Sequence, residues 1–263
     1  MALIQCDFFS EQLGMSCSMN VILPQNTTKQ IGMPSTCSSE KHPTLWLLHG
    51  LSDDHTTWGR RTNIERYVAN LGIAVVMPAV HRSFYTDIDT GGKYWQFISE
   101  ELPAIARSFF PLSAKREDNF VAGLSMGGFG ALKLALNHPE NYIAAASLSG
   151  ALDPIHFIDE SEERAKEFTP IFGPKGSLQR QRSNLAQLST TVKNSKIASP
   201  SLYLACGDDD FLFDVNNKFT DHLTEISYDH VYDVDPGYGH SWDYWDLTIQ
   251  RVLNWLPIQT VNA

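Results

Sequence analysis

The sequence predicts an α/β protein with a mostly parallel, doubly wound sheet that is flanked by helices. Continuous apolar runs of four to six residues recur along the chain, as is typical of strands buried on both faces. Helical stretches lie between these runs, and such alternation favours a parallel sheet with right-handed crossovers. Hydrophobic residues make up 43% of the 263 residues, so one domain spanning residues 1–263 can bury a sizeable core.

The apolar runs place the strands along the chain, and several of them end at residues that favour turns. Gly50 follows the first run, Pro78 the second and Gly207 the fifth. An additional strand is predicted ahead of them over residues 16–23, where apolar and polar side chains alternate imperfectly. The six central strands are predicted over residues 45–48, 73–77, 120–123, 144–148, 202–206 and 231–234.

Four helices are predicted among these strands. Residues 100–110 carry apolar side chains on one face, and Pro111 ends this helix because proline cannot continue the hydrogen-bond ladder. The segment 126–137 is rich in alanine and leucine. The remaining two helices are predicted over residues 213–226 and 242–255.

Residues 153–199 break the alternation because they contain no clear strand. Their first part is dense in acidic residues, whereas the second part carries only basic charges. Two interpretations stay open. The segment is either a solvated helical excursion between two strands or a small cap or lid over a site, since long insertions at the carboxyl ends of strands often cover sites.

Composition excludes several classes of function. Thirty acidic residues against twenty basic ones give a net charge of −10, which is the wrong sign for a nucleic-acid partner. No apolar run approaches the ~20 residues needed to cross a bilayer, and residues 1–10 lack the features of a signal peptide. Without these, the four cysteines, which show no Cys-x-x-Cys spacing, are expected to be reduced in the cytoplasm. They are Cys6, Cys17, Cys37 and Cys206.

A candidate nucleophile, Ser125, lies in the sequence Gly-Leu-Ser-Met-Gly-Gly that spans residues 123–128. A predicted strand precedes this segment and a predicted helix follows it, which is the context that a nucleophile elbow requires. The flanking glycines let the backbone pass closely, and the helix N-terminus offers free N–H groups to a developing oxyanion. A phosphate-binding loop is disfavoured because neither Gly-x-Gly-x-x-Gly nor a following lysine is present.

A serine hydroxyl needs a base, and the candidate base is His240. It follows the last predicted strand in the loop over residues 236–242, at the edge of the sheet where the base must be presented. The other histidines after Ser125 lie in predicted helices, in the insertion or at the opposite end of a strand. These are His138, His156, His222 and His230.

The carboxylate that orients this histidine is expected after the fifth central strand. Asp208, Asp209 and Asp210 stand there in a row, with Asp214 a little further on, and spacing alone does not decide among them. Asp210 is the best placed, because the apolar residues after it must turn inward to begin a helix, whereas short acids before helices usually serve as caps. A metal site is disfavoured because the spacing of a calcium loop is absent.

Two backbone N–H groups are expected to bind the oxyanion. Met126 follows the nucleophile directly, and Leu51 follows Gly50 in the turn after the first central strand. Four aromatic residues are candidates either for the walls of the substrate pocket or for ordinary core. They are Trp58, Phe84, Tyr85 and Trp242.

Five segments together resemble the esterase D / S-formylglutathione hydrolase superfamily, and most closely its small bacterial tributyrin-type carboxylesterases. They are His-Gly-Leu-Ser at 49–52, Trp58 with 61–66, Phe-Tyr-Thr-Asp at 84–87, residues 123–131, and Gly-His at 239–240. The resemblance implies an α/β-hydrolase fold and no cofactor. It places the triad on Ser125, Asp210 and His240, with oxyanion donors at Leu51 and Met126.

The resemblance implies a serine carboxylesterase that cleaves short-chain acyl esters through an acyl-enzyme. Expected substrates are acetyl to butyryl esters, either tributyrin-like or as acetylated or feruloylated sugars. Residue 124 is leucine where the formylglutathione hydrolases have histidine, which favours the general esterase branch. The alternatives are a formylglutathione-type thioesterase, a sugar acyltransferase, and a binding protein without catalysis. The expected partners are a small-molecule ester and further copies of the chain in a dimer or tetramer, with no membrane partner.

Overall fold

Eight strands form one sheet in the order β1-β2-β4-β3-β5-β6-β7-β8. The structure is a computed structural model that describes residues 1–27, 29, 31–33, 35, 40–89, 91–156, 158 and 161–258. The strands are β1 (Ala2–Ser10), β2 (Met15–Leu23), β3 (Thr44–Leu48), β4 (Ala74–Pro78), β5 (Asn119–Leu124), β6 (Ala144–Leu148), β7 (Ser201–Gly207) and β8 (His230–Asp235).

The six central strands are parallel, which confirms the predicted sheet. β4, β3, β5, β6, β7 and β8 pair in parallel, so their carboxyl ends meet at one edge of the sheet. β1 and β2 form an antiparallel hairpin, and β2 pairs antiparallel with β4. The sequence predicts β2 but not β1. As the edge strand, β1 exposes apolar side chains such as Leu3 and Phe9 beside the buried Phe8, so its pattern gives no clear periodicity.

Ten α-helices with described bounds flank the sheet, besides a short 3-10 helix over Arg116–Asp118. They are α1 (Thr57–Arg61), α2 (Ile64–Val68), α3 (Tyr94–Gln96), α4 (Leu102–Phe109), α5 (Met126–Asn137), α6 (Glu162–Phe172), α7 (Leu178–Gln181), α8 (Leu185–Lys193), α9 (Phe213–Glu225) and α10 (Trp242–Trp255). α5 and α10 have the predicted bounds. A π-helical turn, Phe97–Glu101, joins α3 to α4, so the helix predicted over 100–110 begins earlier than its apolar pattern indicates.

Two apolar layers cover the two faces of the sheet. Because side chains alternate along a strand, Trp46 and Leu48 of β3 enter one layer and Leu45 and Leu47 enter the other. Every residue of β3, β4, β5 and β6 is buried, as expected for strands that helices cover on both sides. The sheet is therefore a rigid base for the loops at its carboxyl edge.

The segment 153–199 contains helices and no strand in its described part. Ser161 and Ser177 accept hydrogen bonds from backbone N–H groups at the starts of α6 and α7, as N-caps do. Two of the acidic residues that mark this segment in the sequence, Asp159 and Glu160, lie outside the described residues, as does Cys37. The other three cysteines form no disulfide. No helix in the described ranges is long and apolar enough to cross a membrane.

Candidate active site

Ser125 lies in the tight turn between β5 and α5. Its φ of 53° and ψ of −117° are strained for a residue other than glycine, as at a nucleophile elbow. The turn is held by close approach of the backbone: a Cβ on Gly123 would lie 2.3 Å from the Gly127 carbonyl oxygen, and one on Gly127 would lie 2.4 Å from that of Leu48. Only glycine fits at these two positions.

Asp210 and His240 form a hydrogen-bonded pair at the carboxyl edge of the sheet. The Nδ1 atom of His240 lies 2.9 Å from Oδ2 of Asp210, and the Leu212 N–H donates to Oδ1 at 2.9 Å. Burial opposes ionisation of Asp210, but the hydrogen bond and charge of His240, together with the Leu212 N–H, outweigh it and hold the pKa of this carboxyl below its usual value. A carboxylate on Nδ1 favours the tautomer that leaves Nε2 free to accept a proton.

The imidazole of His240 is packed between two aromatic rings. Phe211 lies on one side with ring centroids 4.6 Å apart, and the Trp245 ring meets it edge-on at 4.8 Å. Trp245 is buried, whereas Phe211 is 74% exposed. Sequence reasoning missed both contacts. The contact of Phe211 with His240 could have been predicted from the position of Phe211 directly after the candidate acid, Asp210.

The turn after β3 carries the predicted oxyanion donor Leu51. His49 accepts a hydrogen bond from the Val80 N–H at Nε2 (3.0 Å), so Nδ1 bears the proton and donates to the Gly50 carbonyl (2.7 Å). Burial lowers the pKa of His49 to about 4, so the ring is neutral near pH 7. No group in the described part of the chain accepts a hydrogen bond from the Leu51 N–H. The other predicted donor, Met126, opens α5, where the N–H has no intrahelical acceptor.

A cavity of about 240 Å³ opens at Ser125. Its walls are mainly apolar and include Leu51, Phe84 and Phe211. The insertion contributes Arg164, Glu167 and Phe168 from α6, and Ala151 and Leu212 complete the lining. Sequence reasoning missed the α6 residues, because no local pattern says which element a distant helix will cover.

Of the four aromatic residues predicted as candidate walls, only Phe84 lines this cavity. Trp58 is buried and its indole N–H donates to the Leu48 carbonyl at 3.0 Å. Trp242 packs edge-on against both Trp58 and Trp245, and Trp245 in turn contacts His240. Tyr85 is completely buried beneath the turn that carries Leu51. The structure thus places these three rings in the support of the site rather than at the Ser125 cavity.

Within the described residues, no group of three or more His, Cys, Asp and Glu side chains could hold a metal ion. The aspartates that follow β7 have separate contacts. Asp208 accepts a hydrogen bond from the Gly237 N–H at 2.7 Å, Asp209 is exposed, and Asp210 is paired with His240. The pairing of Asp210 with Nδ1 suits acceptance of a proton at His240 Nε2.

Known esterases are similar to this chain over most of its length. The family described as putative esterase matches residues 10–256. The chain is 33% identical to an acetyl esterase of Caldicellulosiruptor saccharolyticus, over 97% of this chain and 98% of the relative. Among solved structures, it is similar to the Staphylococcus aureus fluorophosphonate-binding serine hydrolase F (35% identity, TM-score 0.83) and to an S-formylglutathione hydrolase of the same organism (34%, 0.82). Both alignments cover 97% of this chain and 98% of the other.

Proposed function

Because the chain belongs to the putative esterase family, within the esterase D / S-formylglutathione hydrolase superfamily, we propose that it hydrolyses short-chain acyl esters with a triad of Ser125, His240 and Asp210. The chain is a carboxylic ester hydrolase with the α/β-hydrolase fold. The observation that carries the proposal is the pairing of His240 Nδ1 with the buried carboxylate of Asp210, at the edge of the sheet where Ser125 lies half-buried in a strained turn.

In the proposed reaction, His240 Nε2 takes the proton of Ser125 as the hydroxyl attacks the ester carbonyl. His240 then gives this proton to the leaving alcohol, and an acyl-enzyme remains on Ser125. Water, activated by the same imidazole, releases the carboxylic acid. Asp210 holds the imidazole in the productive tautomer and stabilises its cationic form, in line with the lowered pKa of the Asp210 carboxyl.

The developing oxyanion is proposed to bind the N–H groups of Leu51 and Met126. Leu51 lines the cavity at Ser125, and Met126 begins α5, whose N-terminus carries partial positive charge. Backbone donors held in place by the fold need no reorganisation as charge develops, which is why such groups give a large share of the rate enhancement in acyl transfer.

A short acyl group is proposed because the cavity is small. Its volume of about 240 Å³ lies below the ~300–1,000 Å³ typical of pockets for drug-sized ligands. Phe84 and Phe168 close it, with ring centroids 5.4 Å apart. Acetyl to butyryl groups fit this description, and an acetyl group agrees with the name of the Caldicellulosiruptor relative. Glycerol esters and acetylated sugars are the proposed natural substrates, whereas the aromatic acyl group of a feruloylated sugar is larger than this cavity favours.

The proposal is tested by initial rates on p-nitrophenyl esters from acetyl to dodecanoyl, with wild-type protein and Ser125→Ala measured side by side. We expect the rate to peak at two to four carbons and to fall to background in the variant, because only Ser125 can form the acyl-enzyme. Equal background rates in both proteins across the series would contradict the esterase assignment.

A thioesterase activity is the second candidate, because one structural relative is named S-formylglutathione hydrolase. Leu124 is buried, and its Cδ1 atom lies 2.7 Å from where a Gly50 Cβ would be, so residue 124 packs under the oxyanion turn. The comparison of S-formylglutathione with p-nitrophenyl acetate, by kcat/KM, separates the two functions. A thioester preference of tenfold or more would place this chain with the thioesterases.

A further inference from the structure

Tyr85 connects the predicted oxyanion turn to the interior of the molecule. Its side chain is completely buried, and the phenol O–H donates to the carbonyl oxygen of His49 at 2.9 Å. The ring packs against α5 so closely that a Cβ on Gly130 would lie 2.4 Å from its Cδ2 atom. Tyr85 therefore touches both the turn that carries Leu51 and the helix that begins at Met126.

The direction of the Leu51 N–H depends on two peptide planes that meet at Gly50. The first plane carries the His49 carbonyl, and the second carries the Gly50 carbonyl together with the Leu51 N–H. In a trans peptide the carbonyl and the N–H point in opposite directions, so fixing the Gly50 carbonyl fixes the direction of the Leu51 N–H. Because glycine allows free rotation about its backbone dihedrals, fixing one of these two peptide planes does not fix the other. Each plane therefore needs a hydrogen bond of its own.

Hydrogen bonds hold both planes. The imidazole of His49 donates to the Gly50 carbonyl at 2.7 Å, and the Asp53 N–H donates to the same oxygen at 3.2 Å. These contacts hold the second plane. The Tyr85 hydroxyl holds the first plane by its hydrogen bond to the His49 carbonyl. This bond also fixes the backbone position from which the His49 imidazole reaches the Gly50 carbonyl.

The backbone of Tyr85 is in turn hydrogen-bonded to α5. The Nζ atom of Lys133 on α5 donates to the Tyr85 carbonyl at 3.0 Å and to Oγ1 of Thr86 at 2.6 Å. Phe84 and Tyr85 both have φ near 50°, a left-handed conformation that is unfavourable for bulky residues and persists only where surrounding contacts hold it. Lys133 supplies such a contact from the helix that carries the other donor.

We propose that Tyr85 is a positioning residue for the oxyanion hole, which keeps the Leu51 N–H aligned with the Met126 N–H by joining the turn after β3 to α5. This inference rests on the proposed esterase function. It assigns to Tyr85 a role in transition-state stabilisation without contact to the substrate. The ring lies beneath the turn, whereas Phe84, its neighbour, lines the cavity.

The test uses Tyr85→Phe, which removes one hydroxyl and keeps the ring. A matched control is Tyr228→Phe, because Tyr228 is also buried and its hydroxyl also donates to a backbone carbonyl, that of Pro200, at 3.1 Å. The readouts are kcat and KM for p-nitrophenyl acetate, and the inhibition constant of a short alkyl trifluoromethyl ketone, whose adduct with serine carries the oxyanion. Denaturant unfolding measures the stability of both variants.

For Tyr85→Phe we expect kcat to fall about ten- to hundredfold with KM within twofold of wild type. Loss of a whole donor costs about 10²–10³ in kcat, and a misaligned donor costs less. The inhibition constant is expected to rise by a similar factor. Tyr228→Phe should lose comparable stability and leave both kinetic readouts within twofold. Unchanged kcat and inhibitor binding in Tyr85→Phe would overturn the inference.

A second variant, Lys133→Met, loosens the Tyr85 peptide and leaves the phenol in place. We expect a smaller fall in kcat that is again matched by weaker inhibitor binding. A fall in activity without loss of inhibitor affinity would overturn the link through α5. Wild-type protein without esterase activity would overturn the proposed function and this inference together, whereas active wild type with unaffected variants would overturn this inference alone.

Discussion

Asp210 illustrates how a single side chain is selected from a cluster by its surroundings. Its carboxylate is buried, pairs with His240 and accepts the Leu212 N–H, whereas Asp209 beside it is exposed to solvent. A buried carboxylate must be paired because desolvation disfavours its charge. Among the three adjacent aspartates, only Asp210 is paired with His240.

We expect Asp210→Asn to lower kcat about 10³–10⁴-fold, because an amide favours the wrong tautomer of His240 and cannot stabilise its cation. The adjacent Asp209→Asn is the matched control and should keep at least half of wild-type kcat. Both are measured with p-nitrophenyl acetate at pH 7. Comparable activity of the two variants would show that Asp210 does not serve as the orienting acid.

At the scale of elements, α6 is the part of the insertion over residues 153–199 that reaches the cavity at Ser125. It lines the Ser125 cavity with Arg164, Glu167 and Phe168, and Glu167 forms an ion pair with Arg82 from the loop after β4. We therefore propose that residues 153–199 act as a cap. The ion pair is largely exposed, so it is expected to stabilise the fold by less than about 1 kcal/mol.

We expect Phe168→Ala to move the preferred acyl chain from two to four carbons towards six to eight, because the substitution enlarges the cavity beside Phe84. Ile171→Ala is the control, since Ile171 is equally buried on α6 but does not line the cavity. Both variants should lose about 2–5 kcal/mol of stability. The check is the rate on the p-nitrophenyl ester series. An identical chain-length profile in Phe168→Ala and Ile171→Ala would contradict the cap's role in substrate selection.

At the scale of the whole molecule, buried bases make stability depend on pH. Burial lowers the pKa of Lys133 to about 7, although the unfolded chain titrates this group near 10.5. Between these values the unfolded state binds a proton that the folded state does not bind, so the free energy of unfolding rises with pH. The same reasoning for His49, with a pKa of about 4, predicts that stability falls as pH drops from 6.5 towards 4.

We expect the free energy of unfolding of wild type to increase between pH 7 and pH 10 more steeply than that of Lys133→Met. The difference in slope is expected to approach about 1.4 kcal/mol per pH unit. Denaturant titrations at several pH values measure it, and Lys218→Met, which removes an exposed lysine, should keep the wild-type slope. Parallel curves for wild type and Lys133→Met would mean that Lys133 stays protonated in the folded protein.

The sequence by itself was enough to predict the central sheet, the helices after β5 and β8, and Ser125 and His240 as candidate nucleophile and base. It left the acid open among three aspartates, of which Asp210 was the best placed. Buried parallel strands read as continuous apolar runs, and the loops at their carboxyl ends carry Ser125, Asp210 and His240. These features are local in sequence. A strand, the turn that ends it and the candidate site residue in that turn all lie within a few positions of one another.

Only the tertiary structure decided what surrounds these residues. The edge strand β1 lacks a periodic pattern, and α6 reaches the cavity with residues 164, 167 and 168, far along the chain from Ser125. Tyr85, predicted as a candidate pocket wall, lies under the oxyanion turn. Trp58 and Trp242 likewise lie away from the cavity, in a chain of ring contacts that reaches His240 through Trp245. An aromatic residue has the same sequence signature in a pocket wall as in the core, because packing between elements distant in sequence decides which of its faces is buried.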